Sequence, residues 1–370
     1  MEGGTCVFEN GSIVSVGESA ADFDEVIDAH GAYLIPGFVD IHCHGGMGRS
    51  FMGGDEAEFS EIAKFHLSHG TTTMVATTCT SDDEETFGML ETYEKHKKSA
   101  PHSTLAGVFM EGPWLSPLQC GAQATSCMKT PNGDDLKAIK EKYPFVLRVG
   151  AAPELEGGAE FGRACQELGV VASIAHTDGD FRDVERAVNN GYTLVTHLYS
   201  GMKGTERKNA YRIAGAIEAG LYFDELTVEV IADGKHLPLE LLKLIYKCKS
   251  ADRICLVTDA SRAAGLPDGS TTTGISRADK DIIIVEDGVA KMPDRTSFAG
   301  SASTADRLYR TMAAAIGRDM VALSKMASLT PARTMGLDDR GEIAVGKRAD
   351  LLIMDEDLNV QKIFLEGNEI

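Results

Sequence analysis

The stretch PGFVDIHCHGG, residues 36–46, sets two histidines one residue apart at the end of an apolar run. In an extended strand residues i and i+2 share a face, so His42 and His44 project together while Cys43 points the other way. Two imidazoles delivered to one spot are either paired polar side chains at a strand mouth or part of a metal site. How the other apolar runs end decides between them. TLAGVFMEG ends around Glu111, VVASIAHTD around His176, LVTHLYS around His197 and ICLVTDA around Asp259. Together these residues form a nitrogen and oxygen donor set suited to Zn, Fe(II), Mn or Co. His42, His44, Glu111, His176, His197 and Asp259 are therefore the candidate ligands of a divalent metal.

Residues so far apart in sequence can meet only if their runs end on one face. After residue 37, short apolar runs alternate with polar helical stretches such as DEAEFSEIAKFHLSHG, the sequence form of repeated βα units. The runs are GFVDIHCH, TTTMVATT, TLAGVFMEG, FVLRVGAAPE, VVASIAHTD, LVTHLYS, LTVEVIAD and ICLVTDA. Eight such units predict an α/β fold, a (β/α)8 TIM-like barrel, whose C-terminal strand ends surround a single pocket. The flanks, 5–36 and 340–370, are rich in Gly and short alternating runs. They predict a small β-sandwich domain built from both chain termini. The division expected is 1–36 and 336–370 for that domain and 37–335 for the barrel. A further β-like piece, KDIIIVEDGVAKMPD, carries Asp287-Gly288 as a hairpin signal.

Composition narrows the partners. A formal charge of −20 disfavours general affinity for nucleic acid or anionic lipid, which reward a basic footprint. No segment has the apolar length of a membrane helix or the layout of a signal peptide. Eight scattered cysteines without CxxC pairs suit a reducing compartment, so a cytoplasmic protein is expected. The remaining histidines, including His66, His69, His96, His102 and His30, are expected to be solvated or capping. HGGMG resembles an esterase oxyanion loop, but the chain has no G-x-S-x-G to go with it.

PGFVDIHCHG, MEGPWLSP, IAHTD, VTHLYSGM, IADGKHLP, LVTDA, FAGS and GEIAVGKRADLLIMD occur in the order found in the amidohydrolase superfamily. Over nearly the whole chain they resemble the N-acetylglucosamine-6-phosphate deacetylases. The resemblance implies that Glu111, His176 and His197 hold one divalent ion and that His42 and His44 favour a second. Asp259 would serve as general base and acid. Gln123, Ser200, Gly201, His236, Phe298 and Ala299 would face the sugar and phosphate. The implied reaction gives acetate and glucosamine-6-phosphate. The alternatives are N-acetylgalactosamine-6-phosphate or another N-acyl substrate, and a scaffold that has lost its chemistry. A homodimer in which the partner chain helps bind phosphate is also implied.

Three departures from the family pattern bear on the substrate. Gln123 stands where the family has a sugar-contacting histidine, and Ser200-Gly201-Met202 replaces its N-A-M. The R-E-P-G phosphate motif is missing, and TERKNAYRIAG occupies its place, leaving Arg207, Lys208 and Arg212 as candidate phosphate cations.

Overall fold

The structure is a computed structural model that describes residues 4–17, 23–277 and 282–370. Each apolar run overlaps a strand: β1 (Phe38–Cys43), β2 (Thr71–Thr77), β3 (Leu105–Trp114), β4 (Val146–Ala151), β5 (Val171–Ile174), β6 (Tyr192–Val195), β7 (Thr227–Val230) and β8 (Ile254–Leu256). They are short, rich in β-branched residues and almost wholly buried, as expected for strands covered on both faces. Hydrogen bonding runs in chain order from β1 to β8, with every neighbouring pair parallel.

The sheet closes on itself. Cys43 bridges Ala260 in parallel, Asp259 N donates to the His42 carbonyl at 2.8 Å, and His44 N donates to the Ala260 carbonyl at 2.8 Å. Closure is what brings Asp259 beside the two histidines of β1. One helix follows each strand: α1 (Glu56–Leu67), α2 (Asp83–Ser99), α3 (Gly133–Lys142), α4 (Gly158–Glu167), α5 (Phe181–Val188), α6 (Ala216–Tyr222), α7 (Leu239–Lys249) and α8 (Ala305–Ile316). Several begin on side-chain caps that occupy otherwise unpaired amides, with Asp55 opening α1, Asp82 opening α2 and an Asp180–Asp183 capping box opening α5. The fold is the expected (β/α)8 barrel.

The chain ends meet in β structure. Tyr33–Pro36 pairs antiparallel with Leu351–Met354, which pairs with Val360–Leu365. A hairpin of Thr5–Glu9 and Ser12–Gly17 turns at Asn10-Gly11, both at positive φ, and Ser12 bridges Arg348. Ile13, Ala349, Leu351, Ile353 and Phe364 form the apolar cluster shared by the two chain ends. After β8, Ile282–Glu286 and Val289–Lys291 form the hairpin signalled by Asp287-Gly288, and Thr271–Thr273 adds a strand. Lys280 and Asp281 of that segment, and residues 18–22 of the N-terminal flank, lie outside the described residues.

Two histidines differ from the sequence expectation. His66, on α1, is fully buried and lies 2.9 Å from the Gly45 carbonyl and 3.4 Å from Cys43 Sγ. His96, on α2, is also buried and bonds Ser103 Oγ at 3.0 Å. A helical histidine looks solvated by sequence, but these two lie on the faces that α1 and α2 press into the protein. His30 and His102 are exposed, as expected.

Burial pushes His66 from its ordinary 6.5 down to about 4. An unfolded chain takes up this proton near pH 6.5, and the folded chain refuses it until about pH 4. Stability conferred by the neutral ring is therefore lost as pH falls through that window, by about 3 kcal/mol in all. His66→Gln, which can still donate to Gly45, should flatten that part of the acid limb in urea melts of metal-free protein. An unchanged acid limb would contradict the assignment.

Candidate metal centre

The six candidate ligands all lie at C-terminal strand ends and all are buried. They fall into two adjoining trios, His42–His44–Asp259 and Glu111–His176–His197, each with its donor atoms within 4.8 Å of one another. Glu111 spans both. Its Oε1 lies 2.9 Å from His197 Nε2, 3.3 Å from His176 Nε2 and 3.6 Å from His42 Nε2, while its Oε2 lies 3.2 Å from His44 Nε2. Asp259 Oδ1 sits 3.4 Å from His42 Nε2 and 3.3 Å from His44 Nε2.

The local backbone aims these groups. His176, His197 and Asp259 adopt φ values of 43°, 29° and 47°, left-handed conformations that cost non-glycine residues of order 1–3 kcal/mol each. Each turns the chain sharply as its strand ends and directs the side chain over the barrel mouth. Gly201 has φ 56°, and a Cβ there would approach His176 Nδ1 to 2.7 Å, so only glycine fits beside that ring.

Hydrogen bonding on the far side of three rings fixes their tautomers. His42 Nδ1 faces Glu229 Oε2 at 3.0 Å, His176 Nδ1 faces the Gln119 carbonyl at 2.8 Å, and His197 Nδ1 faces the Ser200 carbonyl at 3.1 Å. An oxygen acceptor places the proton on Nδ1 and leaves the Nε2 lone pair pointing inward. Those lone pairs confront carboxylate oxygens, and His42 Nε2 lies 3.2 Å from His44 Nε2. Acceptor set against acceptor is repulsive until a cation sits between them. The donor set fits a divalent ion.

The electrostatics make the same demand. Burial pushes His42, His44 and His176 down, but the carboxylates outweigh it and hold all three above the ordinary imidazole range. Burial pushes Glu111 up, yet the facing His42, His176 and His197 leave it well below the usual carboxylate range. Without a cation the cluster draws in protons, so protons and metal compete for it.

The expected substrate-facing residues are placed less uniformly. His236 Nδ1 bonds Asp233 Oδ2 at 2.8 Å, and its ring lies 4.6 Å from that of Phe298. Ala299 is fully buried, and its N–H donates to the Ala290 carbonyl. Ser200 and Gly201 flank the ligand loop, their carbonyls accepting from His197 Nδ1 and Thr177 N. Gln123 reaches the metal cluster itself, donating from Nε2 to Glu111 Oε2 at 2.6 Å while its Oε1 accepts from Thr80 N at 2.7 Å. Arg207, Lys208 and Arg212 lie on an exposed hairpin, Glu206–Lys208 with Tyr211–Ile213, and contact none of the ligands.

Sequence reasoning missed Arg148 and Glu229. Both are fully buried, and they form an ion pair directly behind His42. The signal was present: an arginine inside VLRVG and a glutamate inside TVEV interrupt otherwise apolar strands.

A barrel with this strand-end cluster has the donor groups that metal-assisted hydrolysis requires. The chain belongs to the amidohydrolase family, which it matches over residues 33–370. The N-acetylglucosamine-6-phosphate deacetylase of Bacillus subtilis is 31% identical over 344 residues, spanning 90% of this chain and 84% of the relative. An N-acetylgalactosamine-6-phosphate deacetylase of Escherichia coli is 29% identical over 90% of this chain and 86% of its own length. The structure of N-acetylglucosamine-6-phosphate deacetylase from Thermotoga maritima superposes with a TM-score of 0.86 at 33% identity, covering 98% of this chain and 94% of that one.

Apparent metal affinity should fall as pH is lowered from about 8 to about 6, because the ligating rings must be deprotonated. Titration against a chromophoric chelator at several pH values measures this, and pH-independent affinity would contradict it. Glu111→Gln should lower metal content more than His42→Gln does, since Glu111 faces both trios. Elemental analysis of the two variants decides the order.

Proposed function

We propose that this chain removes the acetyl group from N-acetylglucosamine-6-phosphate, releasing acetate and glucosamine-6-phosphate. The observation that carries the reading is the meeting of His42, His44, Glu111, His176, His197 and Asp259 at one barrel mouth. The names of the similar proteins support the substrate class. The six residues would hold one or two ions of Zn, Fe(II), Mn or Co. Such an ion, when bound, lowers the pKa of water from 15.7 to about 7 and polarises the amide carbonyl.

Asp259 carries the proton. Burial pushes its carboxyl up, but in the metal-free cluster the facing His42 and His44 rings outweigh that and bring it down to about 2; a bound cation in place of their protons would likewise favour the ionised form that accepts a proton. At 7% exposure it is the most open of the six, which suits a group that must meet both water and substrate. It takes a proton from the attacking water as the oxygen–carbon bond forms. It returns that proton to the amide nitrogen as the carbon–nitrogen bond breaks, so the sugar leaves as an amine. Gln119, Ser200 and Glu229 keep the rings oriented while this happens.

The sugar is assigned to Ser200, Gly201, His236 and Phe298, with Ala299 shaping the loop behind them. His236 is held in place by Asp233 and Phe298. The phosphate is assigned to Arg207, Lys208 and Arg212. These are exposed and form no ion pair among the described residues, so their charges are available to an anionic group. The family resemblance suggests in addition a homodimer in which each hairpin serves the neighbouring site. The E. coli relative at 29% identity favours a second reading, the galactosamine epimer of the same substrate. No disulfide joins any of the eight cysteines among the described residues, which supports a cytoplasmic setting.

Asp259→Asn keeps the shape and removes the basic oxygen pair. Turnover should fall by roughly 10²- to 10⁴-fold with a much smaller change in KM, read by acetate release. Near-full turnover would move the proton role elsewhere. N-acetylglucosamine-6-phosphate should be preferred over its unphosphorylated parent by at least about a hundredfold in kcat/KM, as two charge-assisted contacts would give. Arg207→Ala, Lys208→Ala and Arg212→Ala should erode that ratio. Equal rates with and without phosphate would remove the sugar phosphate from the proposal, and absence of acetate release from every N-acetyl sugar would favour the non-catalytic scaffold.

A further inference from the structure

Glu229 and Arg148 lie inside the barrel, below the ligand cluster, and neither has any solvent exposure. Glu229 stands on β7 and divides its two oxygens between different tasks. Oε1 pairs with Arg148 Nη1. Oε2 accepts from His42 Nδ1 at 3.0 Å and from the His197 main-chain N–H at 3.1 Å. Arg148 reaches across from β4 and is held on every side. Its Nε donates to Ser173 Oγ at 3.0 Å and its Nη2 to Thr196 Oγ1 at 2.8 Å. Its guanidinium lies 3.7 Å from the centre of the Phe109 ring, and Phe109 in turn meets the His42 ring edge-on at 5.0 Å.

The histidine rings are backed unequally. His176 and His197 rest on neutral main-chain carbonyls, and His44 Nδ1 is buried with no partner. Among the four histidines only His42 is backed by a charge. A carboxylate behind a ligating imidazole fixes its tautomer and raises its strength as a donor more than a neutral carbonyl does. The trio with the least-fixed ring, His44, is therefore also the one that has the strongest backing on its other ring.

We infer that Arg148 and Glu229 form a positioning pair that governs metal binding chiefly at the His42–His44–Asp259 trio, because Glu229 meets the ring of His42 but only the main-chain N–H of His197 in the other trio. The inference rests on reading the cluster as a metal centre. Glu229 aims and strengthens His42, and Arg148 fixes Glu229 in the one orientation that allows it. Neither residue touches substrate.

The test is metal uptake by apoprotein, followed with Zn(II) and with Co(II) by elemental analysis and competition against a chelator. The step abolished in His44→Gln is assigned to the His42 trio, and the step abolished in His176→Gln to the other. Glu229→Gln should weaken the first step by roughly 10- to 100-fold and leave the second within about threefold. Because the single variant strands Arg148 as a lone buried charge, which destabilises the fold, the double variant Arg148→Met with Glu229→Gln removes both charges together. It should show the same selective loss while its apoprotein melts close to the wild type. Equal weakening of both steps, or loss of neither, would overturn the inference. Wild-type apoprotein that takes up no ion would overturn the metal reading itself, an outcome distinct from either.

Discussion

A single buried ion pair, Arg148 with Glu229, is the constraint on which the rest of the barrel mouth depends. Bringing two charges out of water costs several kcal/mol per ion, and only close geometry with every remaining donor and acceptor satisfied offsets it. Here the partners are Ser173 on β5, Thr196 and His197 at the end of β6, Phe109 on β3 and His42 on β1. Six of the eight strands thus meet on one pair of side chains. Removing one partner alone would leave an uncompensated charge, a loss of about 3–5 kcal/mol. The strand register at the mouth is therefore fixed by polar satisfaction as well as by apolar packing.

That fixed layer supports a strained one. Three ligands occupy left-handed backbone conformations, and inward lone pairs confront carboxylates. Such an arrangement persists when its surroundings over-determine it, and a bound cation would relieve the opposition of lone pairs and carboxylates. The same logic explains Glu111 and Gln123. The glutamine amide donates to the oxygen that faces His44, while the other oxygen faces His197 and His176. The two trios meet at the Glu111 carboxylate, which Gln123 holds from outside the cluster.

Much of this was legible in the sequence. Eight apolar runs gave the barrel because parallel strands are buried on both faces and leave nearly continuous hydrophobic stretches. The convergence of the six candidate ligands was legible because strand ends converge in such a barrel, so the end of a run is enough to place a residue at the mouth. Arg148 and Glu229 were not, since a charge inside a strand does not reveal whether it crosses the barrel or snorkels outward. His66 and His96 were misread because polar neighbours on α1 and α2 disguise which helical face is buried. The tautomers depend on the carbonyls of Gln119 and Ser200, and main-chain positions carry no residue signal. Gln123 stood out as a departure from the family pattern, but its contact with Glu111 required the loop's path.

The claim underlying all of this is that nitrogen and oxygen donors at the strand ends, not the nearby thiols of Cys43 and Cys79, hold the metal. X-ray absorption fine structure of the zinc-reconstituted protein tests it most directly. The account predicts a first shell of nitrogen and oxygen alone at about 2.0–2.2 Å, with the outer scattering of several imidazole rings. A sulfur shell at about 2.3 Å, or a spectrum without imidazole scattering, would contradict it.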